Sequence, residues 1–487
     1  MDIVTLLDLL VKGLFEAEEK FFSNPRDLHS FEVATKTTTD ALAAQFISSV
    51  LSSMDEQIYN SSLRKELYNA QRTRQRTLIS SVGDLKFDCT LYKKKGVQNG
   101  GYISLLPEML GLEKHERFTE EAEVIMLTES LKTSYAEAAK ALPSKQHISK
   151  TTVMNKVHGL ADEMPMEKPE EKKDISYLYV EADEDHVAEQ HGDQTSSEEN
   201  GSFISKLVYV YENKQDAKGC ADRKELKDAY YFSGLYPGAL GNEKLWNKVQ
   251  AYIDSHYDLD KVKRIYVSGD AASWIKGGAK QLSKALFCAD KYHLMKYVNT
   301  AAAQMGKDEK ENYKNELWHL LNSKKKRAKQ RFDEFTTEML ATAKNPEKVE
   351  DLRIYAVGNW AAVRRMLRNK KVNGCSAESH VSHVLSDRLS SRPMGWSQIG
   401  ADRMSKLRCY ERNYGREKII KFVRYSRELQ HGYKTGTDDY TIPRINLRDV
   451  TAEHYNQARS YIERIQATIP GYTVRKTASI RTQLHLL

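Results

Sequence analysis

Apolar residues spaced by three and four open the chain: Val4, Leu7, Leu10, Val11, Leu14 and Phe15 fall on one helical face. That period predicts helix over residues 1–75. Acids sit inside the apolar pattern, so the start reads as an amphipathic helix rather than a signal peptide. The period then changes to two. Leu78–Val82 and Leu85–Tyr92 alternate around Gly83-Asp84, which predicts a β-hairpin, with Lys93, Lys94 and Lys95 at its far end. Helical spacing returns over 118–163, and its last two segments, 134–142 and 150–164, are joined by PSKQHIS with Ser149 placed as a cap. Helix, turn and helix in this order suits DNA binding. Thr151, Thr152, Asn155 and Lys156 are the polar side chains that the second helix would bring to base edges. A helical hairpin packed on its neighbours would show the same pattern.

Residues 163–174 combine proline with dense charge and predict an interdomain linker. Beyond them strands and helices alternate. Strands are expected at 175–187, 206–212 and 229–235, then a helix at 243–257, a strand at 264–270, a helix, and a strand at 284–293 that runs into another helix. The order β-β-β-α-β-α-β-α is that of an RNase H-like sheet, three sequential strands followed by two delivered through crossover helices. Residues 306–372 are long, strongly charged helical sequence. The expected fold class is therefore an α/β RNase H-like catalytic core (175–305) interrupted by an all-α insertion (306–372). A mostly helical N-terminal region precedes it, made of a helical segment (1–75) and a DNA-binding part (76–165) with the hairpin and the helix-turn-helix. A candidate catalytic helix and basic segment (373–430) and a C-terminal segment (431–487) follow.

The strand order places two carboxylates. Asp183 ends the first core strand and Asp270 the fourth, and these strands are neighbours in the RNase H order, so both acids reach the crevice at the strand ends. Adjacent carboxylates repel unless a cation neutralises them. Mg²⁺ takes its oxygen ligands from carboxylates, water and phosphate. Two such ions, with Mn²⁺ as a substitute, would serve an in-line displacement at phosphorus. Glu378, in a helical stretch rich in small and hydroxyl residues, is the candidate third ligand. A one-residue register shift changes which side chain faces the crevice, so Glu181 and Asp185 stay open as alternatives to Asp183. Asp270 also suits a capping role on the helix after it. Asp290 and His293 close the fifth strand, where they could hydrogen-bond the carboxylates or a phosphate.

Composition changes this picture in two places. The 487 residues, 40% hydrophobic and 29% charged, fit a multidomain globular chain. No uninterrupted apolar run is long enough for a membrane span, so no membrane partner is expected. The five cysteines form no CxxC pair, which disfavours a zinc ribbon or disulfide scaffold and fits a reducing cytoplasm. The formal charge of +8 is unevenly spread: Arg388 to Arg427 holds eleven Lys/Arg against three Asp/Glu. Arg388, Arg392, Trp396, Arg403, Lys406 and Arg408 are the candidates there for holding DNA, with interleaved aromatics to stack on unpaired bases. A basic helix with its aromatics in the core would read the same.

Four stretches carry a resemblance: VEADEDHV (180–187), VSGDAASWIK (267–276), CADKYH (288–293) and AESHVSHVLSDRLSSRPMGWS (377–397). Together they resemble the ISLre-two family of bacterial insertion-sequence transposases, and the likeness runs over nearly the whole chain. The resemblance implies DDE chemistry on an RNase H-like core, with Asp183, Asp270 and Glu378 as catalytic metal ligands. Asp185, Asp290 and His293 would be auxiliary, the last two matching a C/D-x-x-H signature. It implies that 306–372 is the insertion separating Asp270 from Glu378 by 108 residues. It further implies nicking at terminal inverted repeats, transfer of a 3′-hydroxyl into target double-stranded DNA, a homo-oligomer on paired ends, and a bacterial cytoplasm, at the nucleoid when bound to DNA. Two other functions suit the same residues: an RNase H-like metal-dependent endonuclease without strand transfer, and a helix-turn-helix regulator without catalysis. The strand-end carboxylates weigh against the regulator.

Overall fold

The computed structural model describes residues 3–97, 101–112, 114–190, 201–217, 220–392 and 394–431. Apart from His431, the predicted C-terminal segment 431–487 lies outside them. The chain divides into two units, one carrying Met1–Ser130 and Ser134–Lys156, the other Leu131–Thr133 and Val157–Leu429.

In the first unit, helices Ile3–Ser23, Leu28–Asn60 and Ser62–Leu67 lead into an antiparallel pair, β1 (Tyr68–Ser80) and β2 (Gly83–Lys94). The helical expectation for 1–75 therefore stops at Leu67. The hairpin also turns earlier than Gly83-Asp84, because Ser80 pairs with Gly83 and Ile79 with Asp84. Gly83, at φ +120, closes the turn in a region that other residues avoid. The Ser80 hydroxyl accepts from Val82 N–H and donates to the Gly83 carbonyl. Leu85, Phe87 and Cys89 alternate on the buried face of β2 and pack with Ala44 and Ile58 of the long helix. A second small core (Ile79, Phe118, Met126, Leu142, Val153) joins helices Glu120–Ser130, Tyr135–Ala138 and Lys150–His158. The second helix of the predicted helix-turn-helix thus ends at His158 instead of 164. Gly159 follows it, and glycine readily leaves helical geometry.

The second unit is built on a five-stranded mixed sheet: β3 (Tyr177–Ala188), β4 (Ser202–Tyr211), β7 (Tyr230–Gly234), β8 (Arg264–Gly269) and β9 (Ala285–Ala289). A separate hairpin, β5 (Asn213–Ala217) and β6 (Cys220–Lys227), projects between β4 and β7 in sequence. The sheet order is β7-β4-β3-β8-β9. β3, β4 and β7 pair antiparallel, while β3, β8 and β9 pair parallel. Leu178, Val180 and Ala182 of β3 enter a core with Trp246, Val249 and Ile253 of helix Gly238–His256 and Ile275 of helix Ser273–Gln281. Four helices fill the predicted insertion: Lys310–Asn322, Ala328–Thr342, Pro346–Gly358 and Trp360–Arg368. They share a core with helix Lys291–Ala302 through Leu294, Val298, Leu317, Phe332, Leu352 and Val363.

The expected linker at 163–174 is instead stitched onto this unit. Lys173 exchanges backbone hydrogen bonds with His256 and Asp258, and its ammonium pairs with Glu212 and Asp228. Glu167 takes Lys418 and Lys421. Glu167 and Lys173 thus tie the segment to this unit through ion pairs, while Lys168, Glu170, Glu171, Lys172 and Asp174 stay exposed. Among the described residues no helix is long and apolar enough to cross a membrane.

Candidate active site

The sheet register brings the predicted acids together. Glu181 pairs with Ser268, so Asp183 and Asp270 continue the β3 and β8 register two residues later, and Gly269 pairs with Ala289, so Asp290 follows beside Asp270. Parallel neighbours thus deliver three carboxylates to one edge. Local sequence makes this possible. A Cβ on Gly269 would stand 2.7 Å from the Ala182 carbonyl, so only glycine lets β8 lie this close. Ala271 takes φ +76, a left-handed conformation costing an L-residue about 1–2 kcal/mol. One Asp270 oxygen accepts the Ala272 N–H at 2.8 Å across that turn. The helix Ser273–Gln281 takes Ala272 as its N-cap with no side-chain bond, so Asp270 does not fill the capping role; its bond to Ala272 N–H closes the turn and fixes the carboxylate without consuming both oxygens.

Asp290 caps helix Lys291–Ala302, accepting from Tyr292 N–H at 2.9 Å, and holds His293 Nδ1 at 2.8 Å with its other oxygen. His293 Nε2 then lies 4.0 Å from Glu378 Oε2. The hydrogen bond to Asp290 raises the imidazole pKa, and the charges of Asp290, Asp183 and Asp270 add to it against burial. Asp183 is pushed up to about 7 by burial first, then by repulsion from Asp270 and Glu378; the Glu184 N–H and His293 oppose this. Glu378 rises from helix Ala377–Val381 with its side chain 65% exposed. The helix continues through a π-helical turn, Ser382–Ser386, of a kind frequent at functional sites, and ends at Asp387–Leu389.

Alternation along β3 puts Glu181, Asp183 and Asp185 on one face, and their partners differ. Glu181 is buried and accepts the Tyr209 and Tyr211 hydroxyls at 2.5 and 2.6 Å, plus the Ser376 N–H at 2.6 Å and its hydroxyl at 3.0 Å. Asp185, also buried, accepts the Ser390 hydroxyl at 2.8 Å, and burial raises its pKa. Ser376 precedes the Glu378 helix and Ser390 follows it, so Glu181 and Asp185 pin its two ends. Asp183, between them, is the acid whose charge meets Asp270, His293 and Glu378. Sequence reasoning missed these anchors. It also missed His380, whose ring lies against Tyr209, whose Nδ1 is 3.0 Å from the Tyr231 hydroxyl, and whose pKa burial lowers to about 4. The acids' strict alternation on one strand was the available signal for the anchors.

Among the described residues no three His, Cys, Asp or Glu side chains stand as a ready-made metal cage. The donor chemistry nevertheless fits magnesium, which uses one or two carboxylates and completes its shell with water and phosphate. The mutual repulsion that raises Asp183 is what such a cation would relieve.

The structure reassigns most of the DNA-contact candidates. On helix Lys150–His158, Thr151 and Asn155 are exposed, and Thr152 shares a hydrogen bond with Ser149. Lys156 is engaged by Glu116 at 3.2 Å and Glu123 at 3.0 Å, so its charge is spent internally. In the basic segment, Arg388 is buried over the Trp396 ring, itself buried and closed to base stacking. Arg403 and Lys406 are held by Asp162 and Asp402. Arg408 donates to the carbonyls of Leu131, His383 and Val384. Helix Gln398–Tyr414 is a core element, with Leu235 N–H bonded to Asp402 and Asn413 bonded to Tyr231, so its inner cations neutralise the buried Asp402 and the exposed Asp162. Only Arg392 of the six stays exposed. Replacing Lys406 with Ala leaves Asp402 with Arg403 and the Leu235 N–H, so it is expected to cost about 1.5–3 kcal/mol in chemical denaturation, the worth of one hydrogen bond between charged groups. DNA affinity per folded molecule should not change.

Residues 23–424 match the family described as Uncharacterised protein family (UPF0236), a span that contains every candidate acid. A UPF0236 protein of Caldanaerobacter subterraneus subsp. tengcongensis is 32% identical over 398 residues, covering 82% of this chain and 80% of its own. Another from the same organism is 34% identical over 385 residues, 78% of this chain and 77% of its own. The strand transfer complex of the Drosophila P element transposase aligns at 11% identity over 78% of this chain and 94% of that one, with a TM-score of 0.20, too low to carry an argument. By the extent of the family match and the cover of both relatives, the chain belongs to the UPF0236 family.

Proposed function

We propose that this protein is the DDE transposase of a bacterial insertion sequence, a metal-dependent enzyme that cuts DNA at the element's ends and joins the freed 3′-hydroxyl to target DNA. The observation carrying this is the meeting of Asp183 and Asp270 at adjacent parallel strand ends, in electrostatic reach of Glu378 and His293. The sheet order β7-β4-β3-β8-β9, with its first three strands antiparallel and the rest parallel, is the order an RNase H-like core would have, and it supports the same reading. So do the relatives: one UPF0236 name spans eleven gene loci in a single strain, the multiplicity expected of a self-copying element.

Asp183, Asp270 and Glu378 would hold Mg²⁺, or Mn²⁺ in its place, and the bound ions would polarise the phosphodiester and assist the attacking oxygen. The chain's own groups do the positioning. Ala272 N–H orients the Asp270 carboxylate. Asp290 fixes the His293 ring so that Nε2 faces Glu378, and the raised pKa favours the protonated ring, whose Nε2–H would be a donor for a phosphate oxygen. In the first displacement water attacks phosphorus and the 3′-hydroxyl leaves. In the second that hydroxyl attacks target DNA, again making one P–O bond as another breaks. A homo-oligomer pairing two ends in the bacterial cytoplasm completes the reading.

The test incubates purified protein with linear DNA carrying the terminal inverted repeats, a target plasmid and Mg²⁺. Joined products that vanish in Asp270→Asn are expected. Cleavage without joining would favour the nuclease, and cleavage retained in that variant would remove the proposed site.

A further inference from the structure

Alongside the Glu378 helix the second unit carries a cavity of about 560 Å³. Lys132, Arg392, Arg412 and Arg416 line it together with His383 and Asp387 of that helix. Of its two acids Glu411 is matched by Arg416 at 3.3 Å, and Asp387 lies 3.7 Å from His383 Nδ1. Arg408 forms the rear wall, where its donors on the Leu131, His383 and Val384 carbonyls tie loop and helix together. Lys132, Arg392 and Arg412 are exposed and make no ion pair among the described residues. The cavity is therefore a rigid concavity with surplus positive charge, rimmed by two guanidinium forks of the shape that grips phosphate.

We propose that this cavity seats the phosphodiester backbone of the DNA being processed, with Lys132, Arg392 and Arg412 as its phosphate contacts. The proposal rests on the transposase reading and adds where the strand leaves the carboxylates. His383 and Asp387 lie five and nine residues past Glu378 on one helical run. At about 1.5 Å per residue, that is roughly 8–14 Å. Measured along the helix axis, that separation is about two to four of DNA's roughly 3.4 Å rises. Basic heads dominate the rim, and of the apolar residues only Leu131 and Val384 line the space, which favours a polyanion over a peptide.

Binding of a short fluorescent DNA duplex to the full-length protein, followed by anisotropy across a salt series without divalent metal, separates seating from chemistry. Each phosphate contact contributes about 0.9 to the slope of log K against log salt. The double variant Lys132→Ala/Arg412→Ala should lose about two units of slope and bind at least about tenfold more weakly at low salt, with its thermal midpoint unchanged. Arg412→Glu should weaken binding further than Arg412→Ala. Asp270→Asn should keep the wild-type slope while losing cleavage. A wild-type slope in both cavity variants, with the parent binding duplex normally, overturns the cavity assignment and leaves the transposase reading intact. A parent protein that binds no duplex overturns both.

Discussion

Asp183→Asn should make the metal-free protein more stable and reduce strand cleavage to background. Burial, then the charges of Asp270 and Glu378, lift the Asp183 carboxyl from the ordinary 3.8 to about 7. A raised carboxyl pKa means that the folded state keeps its proton over a range where the unfolded chain has released it. Stability therefore falls as pH climbs from about 4 to about 7, and the whole penalty is present above 7. Three units correspond to about 4 kcal/mol at most, and partial exposure brings the expectation to about 2–4 kcal/mol. Asparagine removes the charge and keeps the shape, so the melting temperature in chelator at pH 8 should rise by several degrees. Added Mg²⁺ should raise the wild-type midpoint and leave the variant's nearly unmoved. A variant less stable than wild type in chelator would give Asp183 a structural duty instead.

Much of that site was readable from strand pattern alone. RIYVSGD and ALFCAD are apolar runs that end in an acid, and parallel pairing needs no further information to bring such ends together. The helical insertion was likewise visible, because its four helices keep their own amphipathic spacing and bury Leu317, Phe332 and Leu352 in a shared core. The basic segment was misread for a physical reason: a cation looks the same in sequence whether it faces phosphate or a buried carboxylate. Arg403 and Lys406 share the buried Asp402 of their own helix and also Asp162, more than 240 positions earlier, which only the fold reveals. Glu181 and Asp185 stayed open beside Asp183 for the same reason, since Ser376 and Ser390, which occupy those two, lie beyond the insertion.

Those occupants also predict how the three acids will differ under substitution. Glu181→Ala leaves the Tyr209 and Tyr211 hydroxyls and the Ser376 N–H without their acceptor, and Lys214, 3.5 Å away, without its counter-charge. The carboxylate is 1% exposed, so water cannot replace it. The expected cost is about 3–5 kcal/mol in chemical denaturation. Glu181→Gln keeps the shape and one strong acceptor: its carbonyl can serve Tyr209 and Ser376, while the Tyr211 hydroxyl rotates to accept from the amide. That variant should lose only about 1–2 kcal/mol. Because Ser376 sits two residues before Glu378, either change should lower the cleavage rate with DNA affinity unchanged, and the glutamine should recover most of the rate. Asp183→Asn has the opposite signature, a gain in stability with no recoverable rate. If Glu181→Gln instead abolished cleavage at wild-type stability, the crevice ligand on β3 would be Glu181, and the anchoring duty would pass to its neighbours.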